Sequence, residues 1–235
     1  MTSVRHPAGG AWPALPLIAR RWGVGLCLAA AAGCQSEPPR ARTATLVEVN
    51  RLDPGIRLDI RYATPNNFTG RPLYPTAAAW LLAEPAAALV KAHRHLKTQG
   101  YGIVIFDAYR PWSVTRSLWA SASEAERRAG YVADPAIGSR HNRGCAVDVG
   151  LYDQSSGREV PMPSEFDDFT ERAHADWPGG SATSRAHRQQ LRTAMEAQGF
   201  EVLPQEWWHF NFRGCDQYPL LDSPIDPGST GIPAP

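Results

Sequence analysis

Apolar and polar residues alternate with a period of two over residues 46–49 and again over 56–62, which predicts strands in both places. Residues 63–72 are dense in turn formers and predict a loop. Over 77–99 the apolar positions Leu81, Leu82, Leu89, Val90 and Leu96 form a helical stripe. Thr76 is its candidate cap and Gly100 its stop, while Pro85 is expected to kink or divide it. Tyr101–Asp107 has the length and β-branching of a buried strand and runs into Ala108-Tyr109-Arg110-Pro111. A second helix is predicted over about 113–129 and a strand over 146–151, in which Ala146, Asp148 and Gly150 share one face. A third helix runs from Thr183 or Ser184 to Gln198, closed by Gly199, and an aromatic strand occupies 200–212. In an unbroken strand Glu206 and His209 would face opposite ways, because their offset is odd. Glu206 is therefore expected at a turn or bulge just before the strand, after Pro204.

Composition narrows the class. The 235 residues suit one domain with a tail at each end, and 43% apolar content supports a sizeable core. A net charge of +1, with dispersed basic residues, argues against nucleic acid or an anionic membrane surface as partner. Residues 22–33 form an apolar stretch after Arg20-Arg21, too short to span a bilayer, and end in small residues before Cys34. This reads as an export signal over 1–34 and resembles a bacterial lipoprotein lipobox, with Ala31 where the pattern prefers Leu. Cleavage without lipidation is the alternative. A polar linker over 35–44, a domain over 45–219 and a surface-lying or loose tail over 220–235 complete the expected organisation. The expected location is the periplasm, or a membrane anchored through a lipid on Cys34.

The chemistry concentrates in two stretches. Ser139-Arg140-His141-Asn142-Arg143-Gly144-Cys145-Ala146-Val147-Asp148 places a histidine and an aspartate across a turn leading into a strand. Glu206-Trp207-Trp208-His209 supplies a second histidine with a carboxylate three residues ahead. Two imidazoles and a carboxylate make a three-ligand zinc set with one position left for water. On this reading His141, Asp148 and His209 are ligands of one Zn2+, and Glu206 is the general base of a hydrolase. Taken singly each residue has an ordinary structural explanation, and the surface or structural reading is kept for His93, His95, His174 and His187. If both stretches meet at one metal, Cys145 and Cys215 come near each other, as a disulfide or as two buried thiols.

These motifs, with Tyr62-Ala63-Thr64, Asn67-Phe68-Thr69-Gly70, Asp107-Ala108-Tyr109-Arg110-Pro111 and Phe166-Asp167, resemble the zinc D-Ala-D-Ala dipeptidases within the wider zinc D,D-peptidase and D,D-carboxypeptidase family. The resemblance spans roughly residues 45–215. It implies an α+β fold of Hedgehog/D,D-peptidase type, with a central, mostly antiparallel sheet and flanking helices. It also implies hydrolysis of a small D,D-dipeptide in cell-wall metabolism or recycling. Arg110 takes the family position for stabilising charge on the carbonyl oxygen, although a surface arginine paired with a nearby carboxylate is the plainer reading. Asp167 takes the position that receives the substrate ammonium, Ser139 assists, and Tyr62, Phe68 and Trp112 are candidates to wall the pocket. Asn142 and Arg143 are expected to hold the loop, and Gly144 to supply a backbone angle other residues resist. A D,D-carboxypeptidase trimming stem peptides is the alternative, and a non-catalytic wall-binding lipoprotein a more distant one.

Overall fold

The computed structural model describes residues 44–225. The proposed signal, Cys34, all of the linker before Ala44 and the tail beyond Ile225 lie outside the described residues. The chain first forms β1 (Leu46–Glu48) and α1 (Val49–Leu52), then β2 (Arg57–Leu58), β3 (Trp80–Leu82) and α2 (Ala83–Lys97). It continues through β4 (Tyr101–Asp107), α3 (Trp112–Ser121), α4 (Glu124–Ala129) and β5 (Ala146–Asp153). It ends with α5 (Ala182–Glu196), β6 (Phe200–Leu203) and β7 (Glu206–Phe212). A five-stranded sheet runs β2-β4-β5-β7-β6, antiparallel throughout except for the β2–β4 pair, and β1 and β3 form a separate antiparallel ribbon. The α+β architecture with a mostly antiparallel sheet is the one expected.

The two faces of the sheet divide the labour. Ile103 pairs with Leu151 and Ile105 with Val149, so these side chains share a face, and α2 and α5 cover the sheet with their own Leu89, Leu96, Leu191 and Met195. His93 of α2 ties helix to sheet by accepting the Ile103 N–H at 3.1 Å. The opposite face carries Phe106, Asp148 and Gly150. A Cβ on Gly150 would lie 2.8 Å from the Phe106 ring, so only glycine lets that ring lie flat there.

Several expected elements are redrawn. The strand over 56–62 shrinks to β2, because after the Asp59 N–H bonds Ile105 O the chain turns inward and buries Tyr62. Thr76 caps no helix; Trp80–Leu82 pairs with β1, and α2 starts at Ala83. Pro85 lies in its first turn, where a missing N–H has no intrahelical partner, so the helix is not divided there. The helix over 113–129 breaks into α3 and α4 at Ser123, whose side chain forms a capping box with Glu126. Ser181, not Thr183 or Ser184, caps α5. The strand over 200–212 is a hairpin, β6 and β7 turning at residues 204–205.

Residues 220–225 are docked rather than loose. Leu221 and Ile225 are buried, and Asp222 accepts the Ser113 N–H at 2.8 Å. Leu221 O accepts the Trp112 N–H at 3.0 Å, so this segment satisfies the first turn of α3, which lacks a local cap.

Candidate active site

β5 and β7 pair in a register that sets Asp148 opposite His209, both on the face away from α2 and α5. His141 arrives from the short turn His141–Arg143, ended by Gly144 at φ 70°; a Cβ there would strike Leu46 at 2.6 Å. Their inward atoms converge. His141 Nε2 lies 3.1 Å from His209 Nδ1 and 3.3 Å from Asp148 Oδ1, and His209 Nδ1 lies 2.9 Å from Asp148 Oδ1.

The outward ring nitrogens decide what these atoms are. His141 Nδ1 is 2.6 Å from Ala108 O, and His209 Nε2 is 2.9 Å from Asn211 Oδ1. A carbonyl oxygen only accepts, so each imidazole keeps its proton on the outward nitrogen and turns a lone pair inward. Two lone pairs and a carboxylate oxygen, mutually within 4.8 Å, form a set of acceptors with no donor among them. That donor set fits a divalent cation held by two nitrogens and one oxygen.

Beside this triad stand Glu206 and Arg110. Glu206 Oε2 is 3.7 Å from His209 Nδ1. The odd offset is absorbed by an irregularity in the β6–β7 ladder, where Val202 faces Phe210 but Leu203 faces Glu206. The expectation of a bulge is thereby met within the strand rather than ahead of it. Burial pushes the Glu206 carboxyl up to about 8; Asp148 and Asp167 add to the rise, and His209 and Arg110 oppose it.

Arg110 is buried, not at the surface. Its Nε and Nη2 reach Asp107 Oδ2 at 2.9 and 2.7 Å, and Nη2 lies 3.9 Å from Asp148 Oδ2. Asp107 itself enters through a bulge at Phe106, which brings it opposite Asp148. It also accepts from Tyr74 Oη at 2.7 Å and the Ala108 N–H at 2.9 Å. Asn142 holds the loop as expected, donating to Arg110 O and Thr115 Oγ1 at 2.8 Å each. Arg143 bonds the Tyr218 carbonyl and serves the same end.

A cleft of about 340 Å³ opens over these groups, lined also by Tyr62, Phe68, Tyr131, Ser139, Asp167 and Phe169. Asp167 is the one non-glycine residue with positive φ, 59°, among the described residues, and its carboxylate oxygens lie 3.3 and 3.4 Å from Tyr62 Oη. Burial raises the Asp167 carboxyl to about 7, with Asp148 adding to the rise and Arg110 and Tyr62 opposing it. Ser139 Oγ accepts the His141 N–H at 3.2 Å. Phe169 packs on both Phe68 and Tyr131 and lines the cleft with them.

Trp112 stands apart from the cleft and donates to Pro135 O. His174 does not line it either. Sequence reasoning assigned no role to Asp107, Asn211 or the Tyr131–Phe169 stack. Asp107 stood inside a quoted motif; Asn211 carried no signal until β5 and β7 were registered, and Tyr131 and Phe169 lie in loops that only the fold brings together. Cys145 and Cys215, read as either a disulfide or free thiols, are disulfide-bonded, joining the stretches that carry His141, Asp148 and His209.

Comparison with known proteins agrees with this arrangement. The sequence profile of the family described as D-ala-D-ala dipeptidase, Peptidase_M15, matches residues 42–224. The D-alanyl-D-alanine dipeptidase of Escherichia coli K12 is 34% identical over 179 residues, 76% of this chain and 90% of that protein. That of Enterococcus faecium is 36% identical over 192 residues, 73% of this chain and 93% of that protein. That of Streptomyces coelicolor is 32% identical over 190 residues, 73% and 93% of the two chains. With matches of this extent, and a buried donor set suited to a divalent cation, the chain belongs to the D-Ala-D-Ala dipeptidase family of metallopeptidases.

Proposed function

We propose that this chain is an exported zinc dipeptidase that hydrolyses D-Ala-D-Ala to D-alanine in cell-wall peptide metabolism or recycling. The observation that carries the reading is the convergence of His141 Nε2, Asp148 Oδ1 and His209 Nδ1, with Glu206 3.7 Å from His209 Nδ1 and Arg110 3.9 Å from Asp148 Oδ2. Zinc bound there would polarise the scissile carbonyl and acidify water.

The protein's own groups do the rest. Glu206 takes the proton of the attacking water on a carboxylate oxygen and passes it to the leaving amine. A cation nearby favours its ionised form, against the burial that raises it. Arg110, immobilised by Asp107, keeps its guanidinium beside the site where charge develops on the carbonyl oxygen. Asp167, with Tyr62 at its oxygens, receives the substrate ammonium, and Ser139 steadies the loop that presents His141. The aromatic wall of Phe68, Phe169 and Tyr131 closes the cleft to a size suited to a dipeptide. Export, with Cys34 as the lipid attachment point, belongs to the same reading. The Cys145–Cys215 disulfide supports it, since such bonds persist in oxidising compartments.

The test couples metal analysis of the purified chain to a two-substrate assay. Free D-Ala-D-Ala should be cleaved and an acetylated tripeptide ending in D-Ala-D-Ala left intact, with activity lost to a chelator and restored by zinc. Cleavage of the tripeptide alone would make the enzyme a D,D-carboxypeptidase, and a chain that holds no divalent ion would end the metallopeptidase reading.

A further inference from the structure

Asn211 lies two residues beyond His209 on β7, and the β5–β7 register pairs it with Ala146 just as His209 pairs with Asp148. It therefore shares the active-site face, and its Oδ1 sits 2.9 Å from His209 Nε2. That contact matters because His209 has two competing ways to place its one proton. Asp148 Oδ1, 2.9 Å from Nδ1, is a charged acceptor that would draw the proton inward and cap the lone pair a cation needs. The side-chain carbonyl of Asn211 offers an acceptor on the far side of the ring. His141 meets the same problem with a backbone carbonyl, Ala108 O, which no substitution can remove. At His209 the task falls to a side chain.

We propose that Asn211 is a positioning residue of the metal centre: its carbonyl holds the His209 proton on Nε2 and keeps Nδ1 open for a divalent cation. This rests on the metal site proposed above. Groups that hydrogen-bond the far nitrogen of a ligating imidazole fix its tautomer and orientation and raise its basicity. A carboxylate in place of the amide would hold that proton harder; an apolar side chain would release it.

The test measures zinc affinity of the whole chain by competition with a chromophoric chelator near neutral pH, for the wild type, N211D, N211A and N211V. The last two remove the acceptor, and the valine suits a strand if the alanine fails to fold. Both should weaken zinc binding about 10- to 100-fold with far-ultraviolet circular dichroism unchanged, and N211D should bind at least as tightly as the wild type. Equal affinity in the wild type and the apolar variants overturns the proposal. So does a loss in N211D as large as in N211A, which would mark a packing role instead. A wild type without a zinc site removes the reading underneath, and this is told apart by the wild-type titration alone.

Discussion

Breaking the Cys145–Cys215 bond tests how far one covalent staple supports the folded domain. The cysteines are 70 residues apart, and a bond closing a loop of that length lowers the entropy of the unfolded chain enough to stabilise the fold by about 4 kcal/mol. For a domain of this size each kcal/mol moves the thermal midpoint by about 2–4 °C, so its removal should lower Tm by roughly 8–16 °C. Both sulfurs are buried, so alanine rather than serine keeps a new polar group out of the core. The measurement is thermal unfolding of metal-free wild type and C145A/C215A, each with and without reductant. Reductant should lower the wild type to near the variant and leave the variant unmoved. The bond sits where Cys145 O accepts the Phe212 N–H, beside the strand pairs that carry Asp148 and His209, so zinc affinity should fall with it. A wild type whose thiols titrate as free after reduction, yet whose midpoint has not moved, would refute the loop-entropy argument.

Glu206→Gln should retain zinc and lose turnover by about 10²- to 10⁴-fold, the usual share of a general base; turnover within that of the wild type removes Glu206 from the role. The same variant tests linkage in the metal-free protein. Glu206 at about 8 and Asp167 at about 7 both lie above their unfolded values of 4.5 and 3.8. The folded state thus holds these protons more tightly, and stability complete below the unfolded values is lost as pH rises through the folded ones. Tm should therefore decline less steeply in E206Q than in wild type between about pH 5 and 8, and parallel curves would contradict this. Arg110→Lys, which loses the planar fork on Asp107, should lower kcat more than it raises KM; the reverse would make Arg110 a ground-state binding group. Asp107→Ala strands the buried Arg110 guanidinium and should cost about 3–5 kcal/mol in denaturant unfolding, while a cost near zero would mean the pair is solvated.

What the sequence disclosed follows from where local pattern and tertiary pairing agree. Tyr101–Asp107 was legible because a central strand buried on both faces must be apolar throughout, and the alternation across Ala146, Asp148 and Gly150 because one face of β5 meets helices and the other meets the site. The convergence of His141, Asp148 and His209 was legible for a similar reason: they need only regular strands and one glycine turn to meet. The Ser123–Glu126 capping box was also written in the chain and simply outweighed by helical periodicity. The docking of Leu221 and Asp222 was not, because a proline-rich segment looks the same whether or not a helix N-terminus awaits it.

The groups placed beside the ligands are harder still to read, and for one physical cause. A period-two strand sends Glu206 and His209 to opposite faces and turns Asp107 away from Asp148, yet both carboxylates belong beside the metal-binding set. Each reaches it through a ladder irregularity, at Phe106 in β4 and between Val202 and Leu203 in β6 against β7. A bulge has no composition of its own; it exists because the side chains on either side of it are each better satisfied out of phase. Here the satisfaction is mutual. Phe106, the extra residue, packs on Phe166 and lies over Gly150, while Asp107, released from phase, clamps Arg110. Regular pairing thus sets Asp148 opposite His209, and departures from it bring the Glu206 and Asp107 carboxylates beside them. The two halves of the site should accordingly fail separately: changes that iron out a bulge silence the chemistry before they cost the chain its metal.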